Sequence, residues 1–123
     1  MRYLTDRKRA VGLGSAKSGT EHFWAMKVSS VALLILVPLF VFSFGPKLGQ
    51  PFDVVLDYYS RPFPAIVAAL TLAVGFKHFA DGAQVMIEDY VHGTMEKVLI
   101  ILVKCLSYGA AAAGIFAVAR IAL

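Results

Sequence analysis

Three long apolar stretches dominate the chain and limit the folds open to it. They cover about residues 23–44, 63–89 and 96–123. A helix needs about 20 mostly apolar residues to cross the hydrocarbon core of a bilayer, and each stretch meets that length. Because backbone amides in lipid must be satisfied within the protein, the stretches are predicted to be helices. We therefore expect an all-α integral membrane protein with three transmembrane helices in residues 22–123 and a polar, basic segment at residues 1–21.

Composition supports this fold and excludes several functions. The chain of 123 residues is 59% hydrophobic and only 16% charged, against about 25% charged residues in ordinary soluble domains. It has no flavin-binding fingerprint, no Gly-rich phosphate loop and no set of cysteines for iron–sulfur clusters. The single Cys105 cannot form an internal disulfide, and we expect it to be a buried thiol that packs against neighbouring helices.

The basic residues follow membrane topology, so the net charge of +4 does not indicate a nucleic-acid partner. Six of the twelve precede or open the first span, and Lys97 lies in the second connection, whereas the opposite side has only Lys47, Arg61 and Arg120. The positive-inside rule then predicts a cytoplasmic N-terminus and an external C-terminus. Thr20 is the predicted N-cap of the first span.

Two further segments predict how the helices are arranged. The connection between the first two spans contains an amphipathic stretch, predicted to be a short helix in the outer interface, whose shared face is formed by Phe52, Val55, Leu56 and Tyr59. The third span carries a patch of small residues at Gly109–Gly114. Small residues let helix backbones approach closely, so this face is predicted to pack against another helix.

The second span carries ionisable residues where a bilayer makes them costly. Lys77 and Asp81 are four residues apart, so they share a helix face and can neutralise each other. His78 has no carboxylate at that spacing, and imidazole is the commonest protein ligand of haem iron. Gly82, one turn further on, leaves room for a flat macrocycle. His78 is therefore predicted to bind haem, the alternative being a hydrogen-bonded packing residue.

The other histidines cannot easily complete such a site. His92 lies 14 residues beyond His78, about 21 Å along a helix axis, and His22 lies at the mouth of the first span. The second axial ligand is therefore expected from another polypeptide.

The second span ends in Glu88-Asp89-Tyr90. Tyrosine is common where a helix leaves the membrane, and that is the simpler interpretation of Tyr90. The alternative is that its hydroxyl donates to the carbonyl of a small molecule, with Asp89 behind it. A quinone suits such a site because its tail favours lipid while its oxygens need donors and a supply of protons.

Together these motifs resemble a known family, the small membrane-anchor (D, or cytochrome b small) subunits of succinate dehydrogenase, respiratory complex II. In that family a haem-ligating histidine precedes an Asp-Tyr pair by eleven and twelve residues, which is the spacing of His78, Asp89 and Tyr90. Other sequence motifs are also similar to that family. The second span contains His78-x-x-x-Gly82 and ends in Asp89-Tyr90-Val91-His92-Gly93. The first span contains His22, Lys27, Val28-x-Ser30-Val31 and Pro38.

The resemblance implies roles for five residues. His78 would be one axial ligand of haem b, with Gly82 giving clearance, and the companion large cytochrome b subunit would supply the other ligand. Tyr90 would hydrogen-bond ubiquinone, supported by Asp89. Lys27 would lie near the haem propionates, where the family usually has arginine; lysine keeps the charge but loses the bidentate fork.

The implied protein is a membrane-anchor subunit of succinate dehydrogenase, a succinate:quinone oxidoreductase. Flavin and iron–sulfur clusters would belong to the flavoprotein and iron–sulfur subunits, so this chain would be a non-catalytic subunit of the enzyme. The extended Asp-Tyr-Val-His-Gly motif indicates an alphaproteobacterial or mitochondrial type, and hence the bacterial inner membrane or, alternatively, the mitochondrial inner membrane.

Three other functions stay open. The chain could anchor a related fumarate reductase, or it could be a haem-free structural or assembly subunit in which His78 packs against a polar group of a partner. A transporter with a proton relay of Lys77, His78 and Asp81 is disfavoured, because three spans without an inverted repeat are a poor scaffold for transport.

Overall fold

The computed structural model describes residues 3–14 and 19–123, and every regular element in them is helical. A 3-10 turn over Gly45–Lys47 continues the second helix. The α-helices in chain order are α1 (Asp6–Val11), α2 (Thr20–Phe44), α3 (Phe52–Tyr59), α4 (Pro62–Tyr90) and α5 (Thr94–Ala122).

Helices α2, α4 and α5 are long and apolar enough to cross a membrane, which confirms the three predicted spans. Each begins slightly before its predicted limit. Thr20 is the first residue of α2, and Gly19 precedes it with a φ of 134° and no side-chain cap, so the prediction of Thr20 as N-cap is wrong. Pro38 lies inside α2.

Helix α4 lies at the centre of the bundle and packs against both α2 and α5. It carries most of the buried residues, which are small or medium-sized: Pro64, Ala65, Val67, Ala68, Ala80, Asp81 and Ile87. Large apolar side chains on α2 and α5 point outward. This distribution suits a protein whose surface meets lipid and partner helices instead of water.

A tight reversal makes α4 and α5 antiparallel neighbours. Helix α4 ends where Val91 turns extended, and Gly93 follows with a φ of 77° before α5 begins at Thr94. That left-handed conformation is costly for residues with a Cβ and free for glycine. The turn brings the Tyr90 end of α4 beside the start of α5.

Part of the predicted small-residue patch packs as expected. A Cβ at Gly114 would lie 3.0 Å from Cδ1 of Leu72 on α4, whereas a Cβ at Gly109 would meet open space. Ala111 between them is buried. Cys105 is exposed, so its expected burial is wrong within this chain.

The predicted short helix between the first two spans is confirmed as α3, which packs against α4 and α5. Tyr59 at its end is buried, and burial raises the pKa of its phenol while the nearby Ser43 hydroxyl opposes that change. Lys47 lies 4.5 Å from the ring centroid of Tyr58 and ties the preceding turn to α3. The position of α3 in the outer interface and the orientation of the termini stay predictions.

The N-terminal segment contains one helix. Thr5 caps α1 by accepting a hydrogen bond from the backbone N–H of Lys8 at 3.3 Å. All of α1 is exposed.

Candidate functional site

His78 lies half-buried at the interface of α2 and α4, where one ring nitrogen has a partner. Its Nδ1 is 2.9 Å from Oγ of Ser29, which is only 5% exposed. The same Oγ donates toward the carbonyl oxygens of Ala25 at 2.8 Å and Met26 at 3.0 Å. The bond between Ser29 and His78 therefore joins two spans in a place shielded from solvent.

The second ring nitrogen of His78, Nε2, makes no hydrogen bond to any described residue. Within residues 3–14 and 19–123, no group of three or more His, Cys, Asp or Glu side chains could hold a metal ion. Among the described residues, the interface of α2 and α4 at His78 thus offers one imidazole nitrogen without a partner and no group of side chains that would hold a metal ion by itself. A single nitrogen ligand fits one axial position of a haem, with the second position left for another polypeptide.

Lys77 and Asp81 form the predicted pair on α4. Nζ of Lys77 donates to Oδ2 of Asp81 at 2.7 Å. The Asp81 side chain is 11% exposed and that of Lys77 is 48% exposed. The hydrogen bond of His78 to Ser29 is separate from this ion pair.

Gly82 lies over the side chain of Met26 on α2. A Cβ at Gly82 would be 3.7 Å from the Met26 Cε, an ordinary contact with the end of a flexible chain. Haem clearance at Gly82 stays a prediction.

Lys27 is not brought together with His78. It is exposed, and its Nζ lies 5.3 Å from the ring centroid of Phe23 on the same helix. Two residues correspond to about 200° around a helix, so Lys27 and Ser29 face nearly opposite directions. Contact of Lys27 with haem propionates stays a prediction.

Asp89 and Tyr90 are exposed at the end of α4, and Tyr90 is 82% exposed. Tyr90 lies twelve residues beyond His78 on the same helix, about 18 Å along its axis. The candidate quinone residues and the candidate haem ligand are therefore separate regions of one helix. Nearby, Nε2 of Gln84 donates to Oε1 of Glu88 at 2.6 Å.

Two buried polar atoms near this end of the bundle lack partners among the described residues. They are Nε2 of His22 on α2 and Oε1 of Gln84 on α4. A buried polar atom without a hydrogen bond costs about 1–3 kcal/mol. This end of the bundle therefore suits contact with water or with polar groups of another subunit.

Ser29 is the site residue that the sequence did not reveal. The only available signal was a pair of hydroxyls, Ser29 and Ser30, in an otherwise apolar run. Serine in a helix commonly bonds to its own backbone, as Ser30 does with the carbonyl of Met26 at 2.8 Å. Only the packing of α2 on α4 distinguishes Ser29 from its neighbour.

Comparison with known proteins gives a consistent set of relatives. A family model described as "Succinate dehydrogenase/Fumarate reductase transmembrane subunit" matches residues 1–119. One relative is the succinate dehydrogenase hydrophobic membrane anchor subunit of Paracoccus denitrificans, to which the chain is 46% identical over 123 residues. The alignment covers 100% of this chain and 95% of the relative.

More distant relatives carry similar names. The protein of the same name from Rickettsia conorii is 31% identical over 98 residues, covering 78% of each chain. The succinate dehydrogenase membrane anchor subunit of Reclinomonas americana is 30% identical over 88 residues, covering 69% of this chain and 73% of the relative. No solved structure matches the chain.

Proposed function

Since the chain belongs to the family of transmembrane subunits of succinate dehydrogenase and fumarate reductase, we propose that it anchors a succinate-oxidising assembly and helps to form its haem b and ubiquinone sites. It is a multi-pass membrane protein. Membership of this family implies association with catalytic subunits. The finer roles rest on the residues of α4.

The observation that carries the haem role is the state of His78. Its Nδ1 is held by Ser29 at 2.9 Å while its Nε2 has no partner among the described residues. Metal-ligating histidines typically bond through one nitrogen and donate the other N–H to a neighbouring acceptor. His78 would hold the iron of haem b, Gly82 would lie beside the macrocycle, and the companion large cytochrome b subunit would supply the second axial ligand.

When bound, haem b accepts and releases one electron at a time, whereas the protein sets its position and surroundings. His78 would fix one face of the group relative to α2 and α4. The Lys77–Asp81 pair adds little net charge beside it, because the two charges neutralise each other at 2.7 Å.

Ubiquinone would be bound at the exposed end of α4. The Tyr90 hydroxyl would donate to one quinone carbonyl, and Asp89 would support it. Reduction of a quinone to a quinol takes two electrons and two protons. The carboxyl groups of Glu88 and Asp89, both exposed, lie where protons can be taken from water and passed to the ring oxygens.

The remaining chemistry would belong to other subunits. Succinate oxidation, flavin and iron–sulfur clusters would lie in the flavoprotein and iron–sulfur subunits, which would dock at the Tyr90 end of the bundle. The unsatisfied polar atoms of His22 and Gln84 support docking there. The close Paracoccus relative supports a bacterial inner membrane as the location.

A fumarate reductase anchor is the second candidate, because the family description covers both enzymes. The relatives compared above all carry the name of succinate dehydrogenase, which favours succinate oxidation. A haem-free anchor is a third candidate, and an optical spectrum distinguishes it.

The decisive experiment is a dithionite-reduced minus oxidised absorption spectrum of the complex purified through a tag on this chain. Co-purification of succinate-oxidising subunits with a b-type haem signal supports the whole proposal. An intact, succinate-oxidising complex without the signal would leave the anchor role and contradict the haem role. Absence of succinate-oxidising subunits from the purified complex would contradict the anchor role.

A further inference from the structure

We infer that Ser29 is the positioning residue for His78: it fixes the imidazole in the tautomer that leaves Nε2 available to haem iron. The inference rests on the proposed haem role of His78 and adds a residue on another helix to it. The observations that carry it are the three distances around the Ser29 hydroxyl.

A serine hydroxyl has one hydrogen to donate and two lone pairs to accept. Oγ of Ser29 lies 2.8 Å from the Ala25 carbonyl and 3.0 Å from the Met26 carbonyl, and both of these oxygens can only accept. Two oxygens this close are repulsive unless a hydrogen lies between them. The hydroxyl hydrogen is therefore used toward the backbone, shared between the two carbonyls.

With its hydrogen used, Ser29 presents a lone pair to His78. The contact of 2.9 Å then requires Nδ1 of His78 to be the donor. In a neutral imidazole only one nitrogen carries a hydrogen, so Nε2 is left with its lone pair. A free lone pair on neutral imidazole is the form that binds a metal.

The reverse arrangement would disable the ligand. If Ser29 donated to Nδ1, the hydrogen would lie on Nε2, and that nitrogen could not bind iron. Among the described residues the Asp81 carboxylate accepts from Lys77 at 2.7 Å and has no hydrogen bond to His78. Ser29 is 5% exposed, so water competes poorly for the same contact.

The bond also orients the ring and tunes the iron. It holds the imidazole plane against α2, so the direction of Nε2 depends on the packing of two spans. A hydrogen bond donated by the Nδ1–H makes the imidazole a stronger electron donor at Nε2, which favours ferric iron. Loss of the acceptor should therefore raise the haem midpoint potential and weaken haem retention.

The test compares Ser29→Ala with Ser30→Ala in the assembled complex. Both remove one hydroxyl from adjacent positions of α2, and alanine favours the helix. The Ser30 hydroxyl donates to the Met26 carbonyl and has no hydrogen bond to His78 among the described residues, so Ser30→Ala should match the wild type. Ser29→Ala should shift the ferric-to-ferrous ratio at a fixed potential by up to about tenfold, equivalent to about 59 mV for one electron.

Haem retention gives a readout that is independent of turnover. Haem per anchor chain is measured after incubation with an excess of apomyoglobin, and Ser29→Ala should lose haem about tenfold faster than Ser30→Ala, in line with substitutions behind metal ligands. Ser29→Thr keeps a hydroxyl and should restore both properties. Valine has nearly the shape of threonine but no hydroxyl, so Ser29→Val should behave like Ser29→Ala. The comparison of the Thr and Val variants therefore separates the hydrogen bond from side-chain shape, even where Ser29→Ala impairs assembly.

The outcomes separate this inference from the proposed function. Haem that depends on His78 but has the same potential and retention in Ser29→Ala and Ser30→Ala would overturn the role of Ser29 alone. Equal behaviour of the Thr and Val variants would do the same. A wild-type complex without haem, or one whose haem survives His78→Ala unchanged, would overturn the haem role and this inference together.

Discussion

Lys77 and Asp81 form an ion pair of 2.7 Å whose carboxylate lies inside the bundle while its ammonium reaches the surface. The two residues lie on either side of His78 in the sequence of α4. The pair also lies within a span, where an unpaired charge is costly. The first prediction follows from this asymmetry.

Asp81→Asn should destabilise the assembled complex. It leaves the Lys77 ammonium without its counter-charge at a partly buried position. Breaking a fully buried pair costs about 3–5 kcal/mol, and we expect about 1–2 kcal/mol here because Lys77 is half-exposed. The measurement is thermal inactivation of the purified complex, compared between the variant and the wild type.

A matched control lies in the same chain. Asp57 and Arg61 form an ion pair at 2.9 Å with the same spacing of four residues, but their side chains are 71% and 66% exposed. Asp57→Asn should cost less than about 1 kcal/mol. Equal losses in the two variants would mean that burial of Asp81 has no energetic consequence.

The fold was largely predictable because the length of a membrane span and the pairing of residues along one helix depend on residues close together in the sequence. The spans, α3 and the Lys77–Asp81 pair follow from hydropathy and from spacings of three and four residues. The small-residue patch predicted that Gly114 would pack closely against another helix. It did not predict that this helix would be α4 or the contact Leu72, because the sequence does not say which helix faces the patch.

The error at Cys105 and the omission of Ser29 have a shared cause in tertiary structure, whereas the helix start at Thr20 was wrong by one residue. Cys105 is exposed because the face of α5 that carries it does not meet α4, and an apolar residue in a span can face either lipid or protein. Ser29 was missed because its partner is 49 residues away. The haem role of His78 and the quinone role of Tyr90 were predicted from the sequence motif. The remaining residues of both sites would belong to partner chains.

His78→Ala should abolish or strongly change the b-type haem spectrum of the complex, because it removes the one imidazole that α4 carries. His92→Ala is the control, since His92 is exposed in the turn after α4. The reduced-minus-oxidised spectrum, normalised to anchor chain, is the measurement. An identical spectrum in both variants would show that His78 is not a ligand.

Tyr90→Phe should impair quinone reduction while sparing succinate oxidation by an artificial dye. The substitution removes one hydroxyl from an exposed helix end and leaves the ring. Loss of a hydrogen bond worth about 0.5–1.5 kcal/mol should lower the rate with quinone by about two- to tenfold. Both activities are measured on the same preparation.

Tyr108→Phe is the control for Tyr90→Phe, because Tyr108 is a half-exposed tyrosine of α5 outside the proposed quinone site. It should leave both activities unchanged. A parallel loss of the dye and quinone activities in Tyr90→Phe would indicate defective assembly instead of a lost contact with substrate.

Gly114→Ile should weaken the packing of α5 on α4. Even a Cβ at this position would lie 3.0 Å from Leu72 Cδ1, so a branched side chain forces the helices apart or displaces Leu72. Overpacking of this kind costs about 1–3 kcal/mol. Gly109→Ile places the same side chain on the same helix where nothing lies within 4 Å of the Cβ, so it controls for hydrophobicity and helix propensity. Thermal inactivation of the complex should occur at a lower temperature for Gly114→Ile than for Gly109→Ile. The reverse order would mean that the Gly109 face meets a partner subunit more closely than the Gly114 face meets α4.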